Sequence, residues 1–175
     1  MSKFFEMSTQ FDRQEDFSYP LLIADGPLIE RAKWTIALTK AKTVEEALLA
    51  PINFTSSWGG ESNTPTPEFS DWPGSIFLLP ICSRRMWSVM HPFCPSTGWI
   101  QLPPDANGLA MEWGAIAPHV VVDVQLTPSP WPHFFSIKTR ESYPLYAVSE
   151  ELKSALKLAN LVGVVFSPLD PHKRR

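Results

Sequence analysis

Cysteine is scarce in this sequence: Cys82 and Cys94 are the only two in 175 residues. A small secreted scaffold held together by disulfides would carry more. Long apolar runs are missing as well. None approaches the ~18 residues that a membrane-spanning helix requires. The opening stretch, MSKFFEMSTQFDRQED, has no apolar segment of the signal-peptide kind. The expected compartment is therefore the cytoplasm, with both thiols reduced, and no membrane partner is expected. Clustered basic residues are few. The net charge is −3, and the one basic cluster is Lys173, Arg174 and Arg175 at the end of the chain. Binding nucleic acid by charge needs more than a solvated tail, so no nucleic-acid partner is expected. Phosphate loops are absent too. WGGES at 58–62 has a Gly pair but neither the lysine nor the strand-to-helix context of a nucleotide loop.

What is present is ordinary globular material, 44% hydrophobic and 19% charged. The length fits one domain, 1–175, with a real core. Two counts stand out: 18 proline and 7 tryptophan. Proline fixes φ and removes a backbone donor, so elements should be short and connections stiff. Tryptophan serves both cores and interfaces. The plainer assignment for most of these rings is a core beneath irregular loops.

Several stretches have clear local patterns. KFFEMSTQF at 3–11 suggests a short strand, and ADGPL at 24–28 a turn. KWTIALTK at 33–40 puts Trp34, Ile36 and Leu38 on one face, which is period two and predicts a strand. Ile29, Ala32 and Ile36 also fit a helix continuing from Leu28. Thr43 with Glu46 forms a capping-box pattern for a helix at 44–50, stopped by Pro51. Residues 52–75 read as a long Pro-, Gly- and Trp-containing loop. SIFLLPI at 75–81 reads as a buried strand, and Ser83 as the cap of a helix at 84–90. GWIQL at 98–102 suggests another strand. HVVVDVQL at 119–126 is the strongest strand pattern, followed by HFFSIK at 133–138. At the end, LYAVS predicts a strand and Ser149 caps a helix at 150–159. VGVVFSP then predicts a last strand. Strands outnumber helices. The expected fold is α+β or α/β, with a mixed or mostly antiparallel sheet and a few short helices packed on it.

Chemistry-bearing groups are thinly spread. Cys82, His91 and Cys94 fall within thirteen residues, but a structural zinc site wants four N/S ligands. The next histidines, His119 and His133, lie far along the chain, so no metal is expected. A hydrolase using Cys94, His119 and Asp123 exists on paper, if the fold joins them. Glu112 with Asp123 would be an acid/base pair on the same condition. Glu45–Glu46 and Glu150–Glu151 sit in first helical turns, where the helix dipole accounts for them. No cofactor motif is present and none is expected.

The C-terminal strand–helix–strand carries a resemblance. Its residues are Val148, Ser149, Glu150, Leu152, Lys153, Ala155, Leu156, Gly163, Val164, Phe166, Pro168 and Leu169. In that order they resemble the C-terminal signature of a bacterial immunity protein family, antidotes to polymorphic or contact-delivered toxins. DWPGSIFLLPICSRRMWSVM, with its Ser83–Arg84 pair, resembles the family's strand leading into a capped helix. The likeness spans residues 71–170. It implies a non-enzymatic protein that binds a cognate toxin and occludes its active site. On loop composition, the expected partner-binding residues are Trp58, Glu61, Glu68, Asp71 and Trp72. The alternatives are the small hydrolase above and a non-catalytic scaffold or adaptor. The oligomeric state is left open by the sequence.

Overall fold

The computed structural model describes residues 3–9, 21–59, 70–73, 77–104, 112–124, 130–137 and 145–169. Among these, ten strands and four α-helices make an α+β fold with mixed and antiparallel sheets, as expected. The largest sheet has the order β10-β1-β9-β8-β7. Its strands are β1 (Phe4–Thr9), β7 (Val121–Val122), β8 (Phe134–Ile137), β9 (Leu145–Ser149) and β10 (Val164–Pro168). β1 lies antiparallel between β9 and β10, with Met7 opposite Tyr146 on one side and Phe166 on the other. β7 pairs parallel to β8. A three-stranded antiparallel sheet, β4-β6-β5, is built from β4 (Ile81–Ser83), β5 (Gly98–Gln101) and β6 (Trp113–Ala117). A further pair joins β2 (Leu21–Asp25) to β3 (Thr55–Gly59).

The residues sort into three apolar clusters. One gathers Trp34, Leu38, Phe54, Phe77, Ile81 and Trp113. A second gathers Met7, Trp72, Met86, Met90, Val148, Leu152 and Leu156. The third holds Val122, Phe135, Ile137 and Ala147. The strand period of two explains the last division. Phe134 and Val148 enter the second cluster, whereas their neighbours Phe135 and Ala147 enter the third.

Helix α1 (Leu28–Lys40) replaces the strand that period two predicted at 33–40. Trp34 and Leu38 are both fully buried, one helical turn apart, while Ile36 between them is 52% exposed. Pro27 precedes the helix with φ −60°, and its carbonyl accepts from Glu30 and Arg31. Alternation was accidental here: any i, i+2, i+4 set contains an i, i+4 pair. Helix α2 (Val44–Leu48) starts where the capping pattern placed it. Thr43 accepts from the Glu46 N–H at 3.2 Å, and the Glu46 carboxylate reaches back to the Lys42 N–H.

Three other expectations are corrected. Part of the supposed loop at 52–75 is strand β3, which also bridges Pro103 through the Ser56 N–H and hydroxyl. Backbone pairing holds it, and side-chain alternation contributes little to TSSWG. In the strand read at 75–81, residues 77–80 are not strand, because Leu78 takes φ 54° and turns the chain before β4 begins at Ile81, and residues 75 and 76 lie outside the described ones. Of the strand read at 119–126, the described residues 119–124 form strand only at Val121–Val122, and residues 125 and 126 lie outside the described ones. β6 was not foreseen, since its Gly114, Ala115 and Ala117 give no β-branched signal.

Helix α3 (Arg84–Met90) and helix α4 (Glu150–Leu158) form as expected, each capped by the serine before it. Ser83 accepts from the Met86 N–H and Ser149 from the Leu152 N–H. After α4, Asn160 and Gly163 both adopt positive φ, +50° and +81°, and turn the chain into β10. A Cβ on Gly163 would collide with the Ser70 hydroxyl. Gly163→Ala is therefore expected to destabilise the fold by about 2 kcal/mol, read as a lower urea midpoint with an unchanged slope. An unchanged midpoint would mean the turn relaxes freely.

Candidate interaction surface

The best-organised surface is the outward side of α3, and it starts from a buried carboxylate. Asp71 is fully buried. Its Oδ1 accepts from the Ser83 hydroxyl at 2.5 Å and from Arg85 Nε at 3.2 Å. Its Oδ2 accepts from Arg85 Nη2 at 2.5 Å and from the Val162 N–H at 2.8 Å. The Asp71 backbone closes the set: its N–H donates to Val162 O, and its carbonyl accepts from the Ser83 N–H. Arg85 also reaches Asn160 O at 3.4 Å. One side chain thus ties the start of α3 to the turn between α4 and β10. Desolvation alone would raise the Asp71 pKa. The bonds from Arg85, Ser83 and Val162, with the Arg85 charge, outweigh it and hold the carboxyl below its ordinary value.

With its first turn fixed, α3 turns Met86 and Met90 inward. Arg84, Trp87 and His91 follow at i, i+3 and i+7, with Arg84 and His91 exposed and Trp87 on the margin, packed partly against the second cluster. Trp87 is half-buried, with its ring edge-on to His91 at 5.4 Å. The Arg84 guanidinium stands 5.4 Å from the ring of Trp99 and lies 3.4 Å from the Glu112 carboxylate. Trp99 donates its indole N–H to Cys82 O at 3.2 Å. Its ring rests directly on Gly114, where any Cβ would overlap it. Gly114 is thus the floor that lets Trp99 lie flat beside α3. Beyond the helix, Phe93 meets His133 edge-on at 5.3 Å.

His133 invites a catalytic assignment that the geometry does not support. Its Nδ1 is 2.7 Å from Ser149 Oγ and 4.0 Å from the Glu151 carboxylate. A relay needs the serine on one ring nitrogen and the acid on the other. Here both meet the same nitrogen. Ser149 is also buried and already accepts from the helix it caps. This hydroxyl is a cap braced by an imidazole.

Other residues singled out from the sequence fall as follows. Trp58 lies in β3, half-buried and edge-on to Trp113 at 5.2 Å. Asp71 and Trp72 are corrected: neither faces solvent. Asp71 is the hub above, and Trp72 packs against Tyr146 and Phe134 in the second cluster. Their sequence, Ser-Asp-Trp-Pro, looks like a loop tip, but the chain runs inward there. Glu61 and Glu68 lie outside the described residues. Cys94 is buried in the second cluster, and burial pushes its thiol up to about 11, so it is protonated at neutral pH. Burial lowers the pKa of half-buried His119. Val122 and Val124, which flank Asp123, pack in the third cluster. Cys94 and the valines beside Asp123 thus belong to different apolar clusters. Among the described residues, no group of three or more His, Cys, Asp or Glu is placed to hold a metal ion. Among them, too, no helix is long and apolar enough to cross a membrane.

No protein-family model, no curated protein and no solved structure matches this chain.

The sequence contained a signal for the α3 face that composition-led reasoning passed over. SRRMWSVMH reads as Met86, Trp87 and Met90 on one face, and all three do touch the second cluster; the Arg84, Trp87, His91 spacing at i, i+3 and i+7 is the part passed over. Trp99 has no such signal, because its place beside Arg84 arises only when β5 pairs with β6.

Proposed function

We propose that this chain is an immunity protein. It binds a cognate bacterial toxin in the cytoplasm and neutralises it by occluding the toxin's active site, with no catalysis of its own. The observation that carries this reading is the α3 face, where Arg84, Trp87 and Trp99 stand on a rigid base. Tryptophan and arginine are the residues most enriched at binding hot spots. Rings already held by Gly114, Cys82 O and the Asp71 hub lose little freedom on binding. The C-terminal resemblance supports the same reading. Its residues serve the scaffold: Ser149 caps, Leu152 and Leu156 pack in the core, and Gly163 turns the chain. Binding then belongs to a neighbouring surface, and α3 is tied directly to that motif through Asp71 and Val162.

The test is co-expression with a toxin encoded beside this chain. Growth should be rescued, and the two proteins should co-purify. Trp87→Ala should weaken the complex by about 2 kcal/mol, or roughly thirtyfold in Kd, while the far-UV spectrum stays the same. A complex indifferent to Trp87→Ala and Arg84→Ala would remove α3 as the contact. A neighbouring toxin that is neither bound nor neutralised would remove the immunity reading itself.

A further inference from the structure

A second surface has different chemistry. Helices α1 and α2 both turn their inner sides to the first cluster, through Trp34, Leu38 and Ala47. Their outer sides are aliphatic. On α1, Ile29 and Ile36 are 64% and 52% exposed, with Ala32 between them. On α2 and just beyond it, Leu48 and Leu49 are 63% and 82% exposed, and Ile52 is exposed as well. Single exposed leucines are ordinary, but two contacting helices with apolar outer stripes are not.

The charges on these stripes decide what fits them. The outer side of α1 carries Lys33 and Lys40 at i+4 and i+11 from Ile29. Lys33 also bonds Glu30, whose carboxylate is largely covered. The outer side of α2 carries exposed Glu45, in line with Leu48 and Leu49, while Glu46 turns its carboxylate back to the Lys42 N–H. One helix is therefore apolar and cationic, and its neighbour is apolar and anionic. Such a surface is complementary to itself under a two-fold rotation, which sets α1 of one copy against α2 of the other. Ile29 and Ile36 then meet Leu48 and Leu49, while Lys40 meets Glu45. Interfaces between identical subunits are also the more apolar kind.

We infer that the α1–α2 face is the interface of a homodimer, with a second copy of this chain as its occupant. The inference is independent of the toxin reading, because it is measured on the purified chain alone. Sedimentation equilibrium from about 1 to about 100 µM should show a monomer–dimer transition. Leu49→Glu and Ile36→Glu should each shift it at least about tenfold toward monomer. Circular dichroism should not change, since both side chains point outward. Lys40→Glu and Glu45→Lys should each weaken the dimer, and the double exchange should restore it. Two results would overturn the proposal: a monomer throughout this range, or a dimer untouched by the four substitutions. If a monomeric chain showed protection of α1–α2 from hydrogen exchange only when a toxin was bound, the face would belong to the toxin.

Discussion

Replacing Asp71 with alanine is expected to lower folding stability by about 3 kcal/mol. The change leaves the Ser83 hydroxyl and the Val162 N–H without their acceptor and removes the counter-charge of Arg85. Breaking a buried ion pair costs roughly 3–5 kcal/mol. The lower end applies because Arg85 is half in solvent and can rehydrate. Asp71→Asn keeps the shape and part of the bonding, so it should lose less. The carboxylate also makes stability depend on pH in a definite direction. Its folded pKa lies below the unfolded one, so the protonated form is the weaker partner of the native state. The contribution is therefore complete above the unfolded value of about 3.9 and lost as the pH falls through the folded value. Urea midpoints measured from neutral pH into this acid range should fall more steeply for the native protein than for Asp71→Asn. Parallel curves would show that the buried charge is not what holds α3 to the α4–β10 turn.

The other large effect is expected at Trp34. Trp34→Ala should cost about 4 kcal/mol, as for other buried aromatic truncations. The ring is fully buried and packs edge-on against both Phe54 and Phe77, at 5.2 and 5.5 Å. Removing it empties the middle of the first cluster. Ile36→Ser, two residues away and measured on the dilute monomer, should stay within about 0.5 kcal/mol, because that side chain is half exposed in the single chain. The contrast also separates helix from strand. In a strand the two residues share a face and both substitutions are costly. Thermal or urea denaturation of the pair decides it, and comparable losses at the two positions would contradict α1.

These two residues mark where the sequence was legible and where it was not. Thr43, Ser83 and Ser149 each announce a helix through the spacing of the next few residues, and each caps one. The left-handed stop after α4 was equally local, since only Asn160 and Gly163 suit it. Trp34 was harder, because its neighbours fit two periods at once and burial alone chose between them. Asp71 was illegible. It bonds Arg85 fourteen residues on and Val162 ninety-one residues on. A short polar stretch ahead of a proline gives no hint of such partners. The same limit hid β3, whose seat depends on the distant Leu21–Asp25 and on Pro103. The α3 face lay between these cases: its helical stripe was readable, but the Trp99 that completes it was not.

The place of β1 in the largest sheet bears on how the chain is made. Its two hydrogen-bonded neighbours, β9 and β10, come far later in the chain, so β1 leaves the ribosome before either ladder partner exists. At ordinary elongation rates it waits on the order of ten seconds for Leu145–Ser149 and Val164–Pro168 to follow. Through that interval Phe4, Phe5 and Met7 stay exposed to chaperones and to other nascent chains. The sheet, and with it the second cluster beneath α3, closes only once β9 and β10 have followed. Any partner that reads the α3 face therefore meets it with β10 already in place.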